Sequence, residues 1–345
     1  MNILFLAHNY LGLAQPIIDE MERQGHYVFY VEDKALPTDC YHKNNLKILN
    51  KIKMLYNRLF KIYEKYWKEK FKIDKRFSNH FDLLFCIQGL SFHPILLNYL
   101  KIKNPHIKTS LYIWDTNRFY DFFRNASFFE KVFTFDLDDS HENKDVGFLP
   151  FYWTENSRVC CDNAQYDLSM VGTDHDGRYE IVKNVYCNVR NQLTTCFKIV
   201  IPKYPFDMTK RLRFTFLTLF RYRKIALKLK NWQSKMMLPI YTFDYLEPEY
   251  VNDIIQCSKC ILDTDRETQT GTTPRVIWAL AMGKKIISTN KHLLEMSFVD
   301  KQQIRIIDRN NPVIDIDFVK SDISFAPSEY VQSLRLDKWI MNFIC

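Results

Sequence analysis

The sequence predicts an α/β chain made of two consecutive doubly wound parallel sheets, on three observations. First, 345 residues exceed one ordinary core and suit two domains of about 150 residues each. Second, the chain opens a strand–loop–helix run at Asn2 and opens another at Tyr166. Third, its strand segments are apolar at consecutive positions, the pattern of strands covered on both faces of a parallel sheet. A hydrophobic content of 47% excludes a largely disordered chain, and 8 Gly with 12 Pro exclude a low-complexity or fibrous one. The 27 Phe, 20 Tyr and 6 Trp imply large buried areas or a surface that handles rings and interfaces.

The first strand is Asn2 to Ala7, followed by the loop His8 to Gly12 and the helix LAQPIIDEMERQG, which sets Leu13, Ile17 and Met21 on one face and stops at Gly25. YVFYVED is the second strand, and no G-x-G-x-x-G separates the two, so the standard dinucleotide fingerprint is absent. A basic, amphipathic segment follows. Then come FDLLFCIQG (strand), HPILLNYLKIKNP (helix), TSLYIWDT (strand) and KVFTFD (strand). GFLPFYW leads into the polar stretch TENSRVCCDNAQ, the expected domain boundary.

The alternation restarts with YDLSMVGT, a polar loop and a helix, then the strand FKIVIP, a long basic helix and MMLPIYTF. EPEYVNDIIQCS is a helix, KCILDTD a strand, RETQTGT a loop, TPRVIWALAMG a helix and KKIIST a strand. From Pro327 the periodicity of Tyr330, Leu334, Trp339 and Phe343 is that of one helix.

The second half resembles the C-terminal donor-binding domain of GT-B glycosyltransferases. The resemblance is to the family 1-like and CgeB-like donor domains of bacterial surface-polysaccharide enzymes. Their opening, D-x-S-x-V-G-T…R, is matched by Asp167, Ser169, Val171, Gly172, Thr173 and Arg178. Their close, R-x-x-E-A-L-A-x-G, is matched by Arg275, Ala279, Leu280, Ala281 and Gly283. Trp278 stands where the family often has the Glu that commonly holds the nucleotide's ribose. The first half fits by element order. The resemblance implies two Rossmann-like, doubly wound parallel-sheet domains facing a cleft: residues 1–152 for the acceptor and 165–325 for a nucleotide-sugar donor. Residues 326–345 would form a helix packing back toward the first domain.

The residues support a phosphate site independently. In TGTTPRVIW, Thr272 or Thr273 is a natural N-cap and Pro274 a natural first helical residue. A helix start beside Gly271 and Arg275 offers backbone donors, a dipole and a guanidinium to a diphosphate, at the carboxyl end of a strand. The plainer alternative is a capped helix with a surface Arg. Gly172, Thr173 and Arg178 make a second such loop, against the alternative of a solvated turn, and Lys203 is a weaker cation candidate. Glu267, Thr268 and Thr270 are candidates to replace the missing ribose carboxylate.

For the acceptor side, an inverting transfer needs a base within hydrogen-bond reach of the acceptor hydroxyl. His8, with Asn9 and Gly12 as an acceptor loop, Asp115 and His93 are the strand-end candidates, each with the alternative of a cap or turn residue. Asp136, Asp138 and Asp139 have the look of a metal cluster. The resemblance implies no carboxylate-held metal, and an acidic helix start is the alternative. No metal and no cofactor are expected, the nucleotide-sugar being a substrate.

The net charge of +8 conceals two basic segments. Residues 43–76 carry 12 Lys/Arg against 3 acids, residues 198–235 carry 11 against 1, and the remainder is at −11. Basic amphipathic helices rich in Tyr and Trp suit an anionic membrane surface; a solvated basic face is the alternative. A nucleic-acid partner is not expected, since no recognisable module supports it. The N-terminus has no signal-peptide pattern and no apolar run reaches membrane-span length. Nine cysteines without a secreted framework are expected as free thiols, Cys257-x-x-Cys260 lacking a second pair for zinc.

The expected function is transfer of a sugar from a nucleotide-sugar to a bacterial surface glycan or glycolipid (LPS, O-antigen or capsule), at the cytoplasmic face of the inner membrane. Transfer of a polyol-phosphate or other phosphate unit on the same architecture is one alternative. A non-enzymatic basic membrane- or nucleic-acid-binding protein is another.

Overall fold

The computed structural model describes residues 1–9, 12–34, 36, 47–118, 121–155, 164–204 and 222–344. The chain divides into two compact units. One is Met1–Glu155 with Glu267–Ile277 and Ser328–Cys345; the other is Asn156–Arg266 with Trp278–Pro327.

Six strands make the first unit's sheet: β1 (Asn2–Ala7), β2 (Tyr27–Glu32), β3 (Leu83–Ile87), β4 (Lys108–Ile113), β5 (Lys131–Thr134) and β6 (Gly147–Phe148). They are parallel throughout, in the order β2-β1-β3-β4-β5-β6, so the winding direction reverses between β1 and β3. The second sheet holds β7 (Tyr166–Thr173), β8 (Thr195–Val200), β9 (Tyr241–Thr242), β10 (Ser258–Asp263), β11 (Lys285–Ser288) and β12 (Ile304–Ile306). Its order, β12-β11-β10-β7-β8-β9, is that of dinucleotide-binding sheets, with the switch point between β7 and β10. The expected fold class therefore stands. Strand β12 escapes a sequence reading because it is three residues long and flanked by Gln302, Gln303 and an internal Arg305.

Alternation along the first sheet separates two cores. Leu4, Leu6, Leu84, Cys86, Leu111 and Ile113 join one cluster with Trp67, Phe77 and Leu96. Phe85, Tyr112 and Phe133 meet the C-terminal residues: ring centroids are 4.5 Å apart for Phe85–Phe343, 4.9 Å for Tyr112–Trp339 and 5.5 Å for Phe133–Phe343. Trp339 is fully buried, and its indole N–H donates to Pro150 O at 2.9 Å.

Several expectations need correcting. The C-terminal segment is not one helix but three short ones, Glu329–Ser333, Leu336–Trp339 and Met341–Ile344. Arg335 between the first two is extended (ψ 138), and the backbone there bridges Trp153: Trp153 N donates to Leu334 O at 3.1 Å, and Leu336 N to Trp153 O at 2.9 Å. Pairing with a distant segment breaks the helical ladder. The first basic segment is likewise two helices, Lys47–Phe60 and Ile62–Ile73, parted by Lys61 in the left-handed region (φ 50, ψ 46). Residues 43–46, 205–221, Cys160–Cys161 and most of the boundary stretch lie outside the described residues. Cys86, Cys187, Cys196 and Cys260 are free thiols, but Cys257 is disulfide-bonded, which corrects the expectation at that residue. Among the described residues, no helix is long and apolar enough to cross a membrane.

Candidate functional site

The second unit's switch point is built by one arginine. Arg178 opens the helix Arg178–Val189 and is buried. One terminal nitrogen donates to Thr173 O at the end of β7 (2.7 Å), Nε to Thr264 Oγ1 (2.8 Å) and the other terminal nitrogen to Thr264 O just past β10 (2.9 Å). The guanidinium fork thus ties together the two strand ends that flank the switch. The turn that delivers it needs Asp176 (φ 50) and Gly177 (φ 76), both left-handed. The turn also occupies the first helical donors: Arg178 N bonds His175 O at 3.0 Å and Tyr179 N bonds Asp174 Oδ1 at 3.3 Å.

His175 sits among charges. Its Nδ1 lies 3.1 Å from Asp176 Oδ2, a carboxylate also bound by Arg266 Nε at 3.0 Å. Burial, then the positive charges of Arg178 and Arg266, push the imidazole down to about 4. It is neutral at neutral pH. Beside this turn, a cavity of about 350 Å³ is lined by Asp174, His175, Gly177, Tyr179, Asn231 and Lys235. Asp174 and Lys235 are ion-paired there. Gly172 lies within β7, and Lys203 is exposed beyond β8.

The other loop belongs to the first unit, which includes Glu267–Ile277. Thr270 is its anchor: its N and Oγ1 donate to the two oxygens of Asp136 at 2.9 and 2.8 Å, and its hydroxyl accepts from Asp138 N at 3.1 Å. Asp136, fully buried, also caps the helix Leu137–Glu142 by accepting from Asp139 N. Gly271 rides over Phe135 so closely that a Cβ would sit 2.2 Å from its carbonyl oxygen. Gln269 Nε2 donates to Asp115 Oδ1 at 3.0 Å, while Arg118 donates to Thr268 O at 3.2 Å and pairs with Asp138. The fold therefore brings Asp115, Thr270 and Gly271 together. Glu267 is exposed.

At the helix Pro274–Ala281 the choice of cap resolves to Thr273, whose Oγ1 accepts from Val276 N at 3.3 Å. Thr272 is 0% exposed, and its hydroxyl has no hydrogen-bond partner among the described residues. Arg275 follows, also buried.

The three acceptor-side candidates differ. His8 stands just past β1, half-buried, with Asn9 exposed and Gly12 left-handed (φ 67) beyond it. Asp115 follows β4 and accepts from Thr116 N at 2.9 Å as well as from Gln269. His93 caps the helix Pro94–Lys103: its Nδ1 accepts from Ile95 N at 3.3 Å, and burial holds its pKa below the usual value. The acidic run has the anticipated helix-start form. Burial, aided by neighbouring Asp136, lifts Asp139 to about 6, although Asn117 N donates to it at 2.7 Å. Sequence reading missed Asp136 and Gln269 as anchors; the cap position of Asp136 was the one available signal.

The sequence matches no known family model and no curated protein sequence. The fold does match solved proteins. An α,α-trehalose-phosphate synthase (UDP-forming) from Burkholderia vietnamiensis aligns over 99% of this chain and 96% of its own, with a TM-score of 0.54 and 9% identity. Sucrose-phosphate synthase from Thermosynechococcus elongatus aligns over 99% and 95%, at 0.51 and 9%. The α,α-trehalose 6-phosphate synthase of Burkholderia multivorans aligns over 100% and 97%, at 0.50 and 8%. At such identities the shared property is the fold: two Rossmann-like domains, as in GT-B proteins.

Proposed function

We propose that this chain is a glycosyltransferase that moves a sugar from a nucleotide-sugar donor to a glycan or lipid-linked acceptor, in assembly of a bacterial surface polysaccharide at the cytoplasmic face of the inner membrane. The observation that carries the donor side is the Thr272-Thr273-Pro274-Arg275 helix start. A buried hydroxyl left without a bond costs about 1–3 kcal/mol, and Thr272 Oγ1 is such a group among the described residues. A diphosphate accepting from that hydroxyl, from the helix N-terminus and from Arg275 removes the cost. The fold neighbours are consistent, since one is named for forming UDP.

In this reading Arg178 is a positioning residue, its donors being spent on Thr173 and Thr264. Gly172, Thr173, Lys203 and Glu267 remain assigned to the donor side on the family resemblance. His8 and Asp115 are the acceptor-side bases, because the cap bond occupies His93 Nδ1. The basic segments 43–76 and 198–235 favour an anionic membrane surface over nucleic acid.

The test is thermal stabilisation by UDP, GDP, CDP, CMP and ADP. One of the five raises the melting temperature, and Arg275→Ala abolishes that rise. Thr272→Val raises the ligand-free stability by about 1 kcal/mol while shrinking the nucleotide-induced shift. If none of the five stabilises the protein, the donor assignment fails.

A further inference from the structure

Over residues 52–60 the helix Lys47–Phe60 is turned inside out relative to an ordinary surface helix. Among its described side chains the buried one is Asn57, at 9% exposure, whereas Ile52 and Leu55 are each 58% exposed and Leu59 68%. Met54, Tyr56 and Phe60 are exposed too, and the Tyr56 and Phe60 rings lie 4.5 Å apart. A soluble helix buries its apolar stripe; an exposed contiguous one marks an interaction surface. No acid occurs from Lys47 to Tyr63, while Lys53, Arg58 and Lys61 do, so the outward face is both apolar and cationic.

Beside this helix is a cavity of about 480 Å³, at the elbow where the left-handed Lys61 parts the two helices. Arg58, Lys61 and Arg124 line it with His93, against the single carboxylate of Glu64. Met54 and Leu55 form its apolar lip. A non-glycine residue held at positive φ costs about 1 kcal/mol or more and tends to persist at functional sites. Here it aims a cation into the cavity mouth.

We propose that this elbow binds the phosphate headgroup of an anionic membrane lipid, with the outward apolar face of Lys47–Phe60 seated in the bilayer interface. Cations at the elbow take the phosphate oxygens, and Ile52, Leu55 and Leu59 meet the acyl boundary. The occupant is a lipid rather than a protein partner because the face combines exposed aliphatic and aromatic side chains with a rim of three cationic side chains against one carboxylate, which complements an anionic interface. The proposal rests on the membrane-apposed acceptor of the preceding section, but its test involves no nucleotide, so either can fail alone.

The full chain is sedimented with phosphatidylcholine vesicles that contain or lack phosphatidylglycerol, with inorganic phosphate as competitor. Binding is expected with phosphatidylglycerol and weak without it. Leu55→Asp/Leu59→Asp lowers partitioning more than about tenfold. Arg58→Gln and Lys61→Gly, the latter keeping the left-handed backbone, each lower it about fivefold. Lys68→Gln, on the second helix and outside the cavity lining, changes it less than about twofold. Millimolar phosphate lowers binding of the wild type but not of Lys61→Gly. Equal binding to both vesicle types, or a Lys68→Gln loss as large as that of Arg58→Gln, overturns the headgroup site. Unchanged binding of Leu55→Asp/Leu59→Asp overturns the docking face. Normal nucleotide stabilisation of these variants separates either result from failure of the donor reading.

Discussion

In the first unit the last residues of the chain return to cover the sheet: Phe343 stacks on Phe85, and Trp339 and Phe343 meet Tyr112 and Phe133, respectively, edge to face. In the second unit Ile314, Phe318 and Val319 close an apolar core on the sheet as well, and polar groups fasten its strand and helix ends. Arg178 clasps β7 to Thr264, and the buried ammonium of Lys285 donates to Phe318 O and Val319 O at 2.7 and 2.8 Å, at the end of the helix Ile316–Lys320. Apolar closure is tolerant of direction but demands volume, whereas polar closure demands that every partner be present. Two sheets of one class are therefore vulnerable to different changes.

The largest expected effect is in the apolar closure. Trp339→Ala empties a fully buried site and lowers stability by about 4 kcal/mol, read by denaturant unfolding, with hydrogen exchange rising first in β3 and β4. A smaller loss in which β7 and β10 exchange as fast would erase the distinction between the units. Next comes the clasp. Arg178→Met leaves Thr173 O and Thr264 O without their donor and costs about 3 kcal/mol. Arg178→Lys recovers little, because one ammonium cannot span three acceptors in a fork. Full recovery by lysine would mean that charge rather than geometry closes the switch point.

The smallest effect sharpens the contrast through pH. Asp33, buried after β2, accepts from Leu90 N and Ser91 N at 2.6 and 2.7 Å, yet burial lifts its pKa from 3.8 to about 6. The folded state keeps this proton where the unfolded chain has lost it, so its contribution to stability declines as pH rises from about 4 to 6. His175 goes the other way. Its folded value of about 4 lies below 6.5, so its contribution is present above pH 6.5 and lost as pH falls toward 4. Asp33→Asn should remove the first slope from β1–β3 exchange, and His175→Gln the second from β7 exchange, by about 1–2 kcal/mol each between pH 4.5 and 6. Changes of slope with the same sign on the two substitutions would contradict the assignment.

Much of the fold was legible because its signals are local. Consecutive apolar runs such as Ile3–Ala7, Leu83–Ile87 and Ile261–Leu262 mark covered parallel strands, and Thr273-Pro274 marks a helix start. The strand order is not local: both sheets arise from similar strand–helix alternation, yet only the second reverses between β7 and β10 in the dinucleotide-binding order. The candidate site was legible in part for the same reason. Arg178 was visible as a conspicuous cation after Gly172-Thr173, but its partner Thr264 lies 86 residues away. His93 was visible as a strand-end histidine, and the local Pro94 already favoured a cap.

Residue chemistry, periodicity and turn residues, all properties of short windows, thus determined by themselves the α/β class, most of the strands and the helix start at Pro274. Tertiary structure alone decided which polar groups are spent and which are left over. Thr270 finds Asp136 across 134 residues, Arg178 is consumed by two strand ends, and Thr272 is buried without a partner among the described residues. The same holds for the helix Lys47–Phe60, whose sequence is amphipathic either way round. The reason is physical: period specifies that a stripe exists, while burial and hydrogen-bond partners depend on what packs against it.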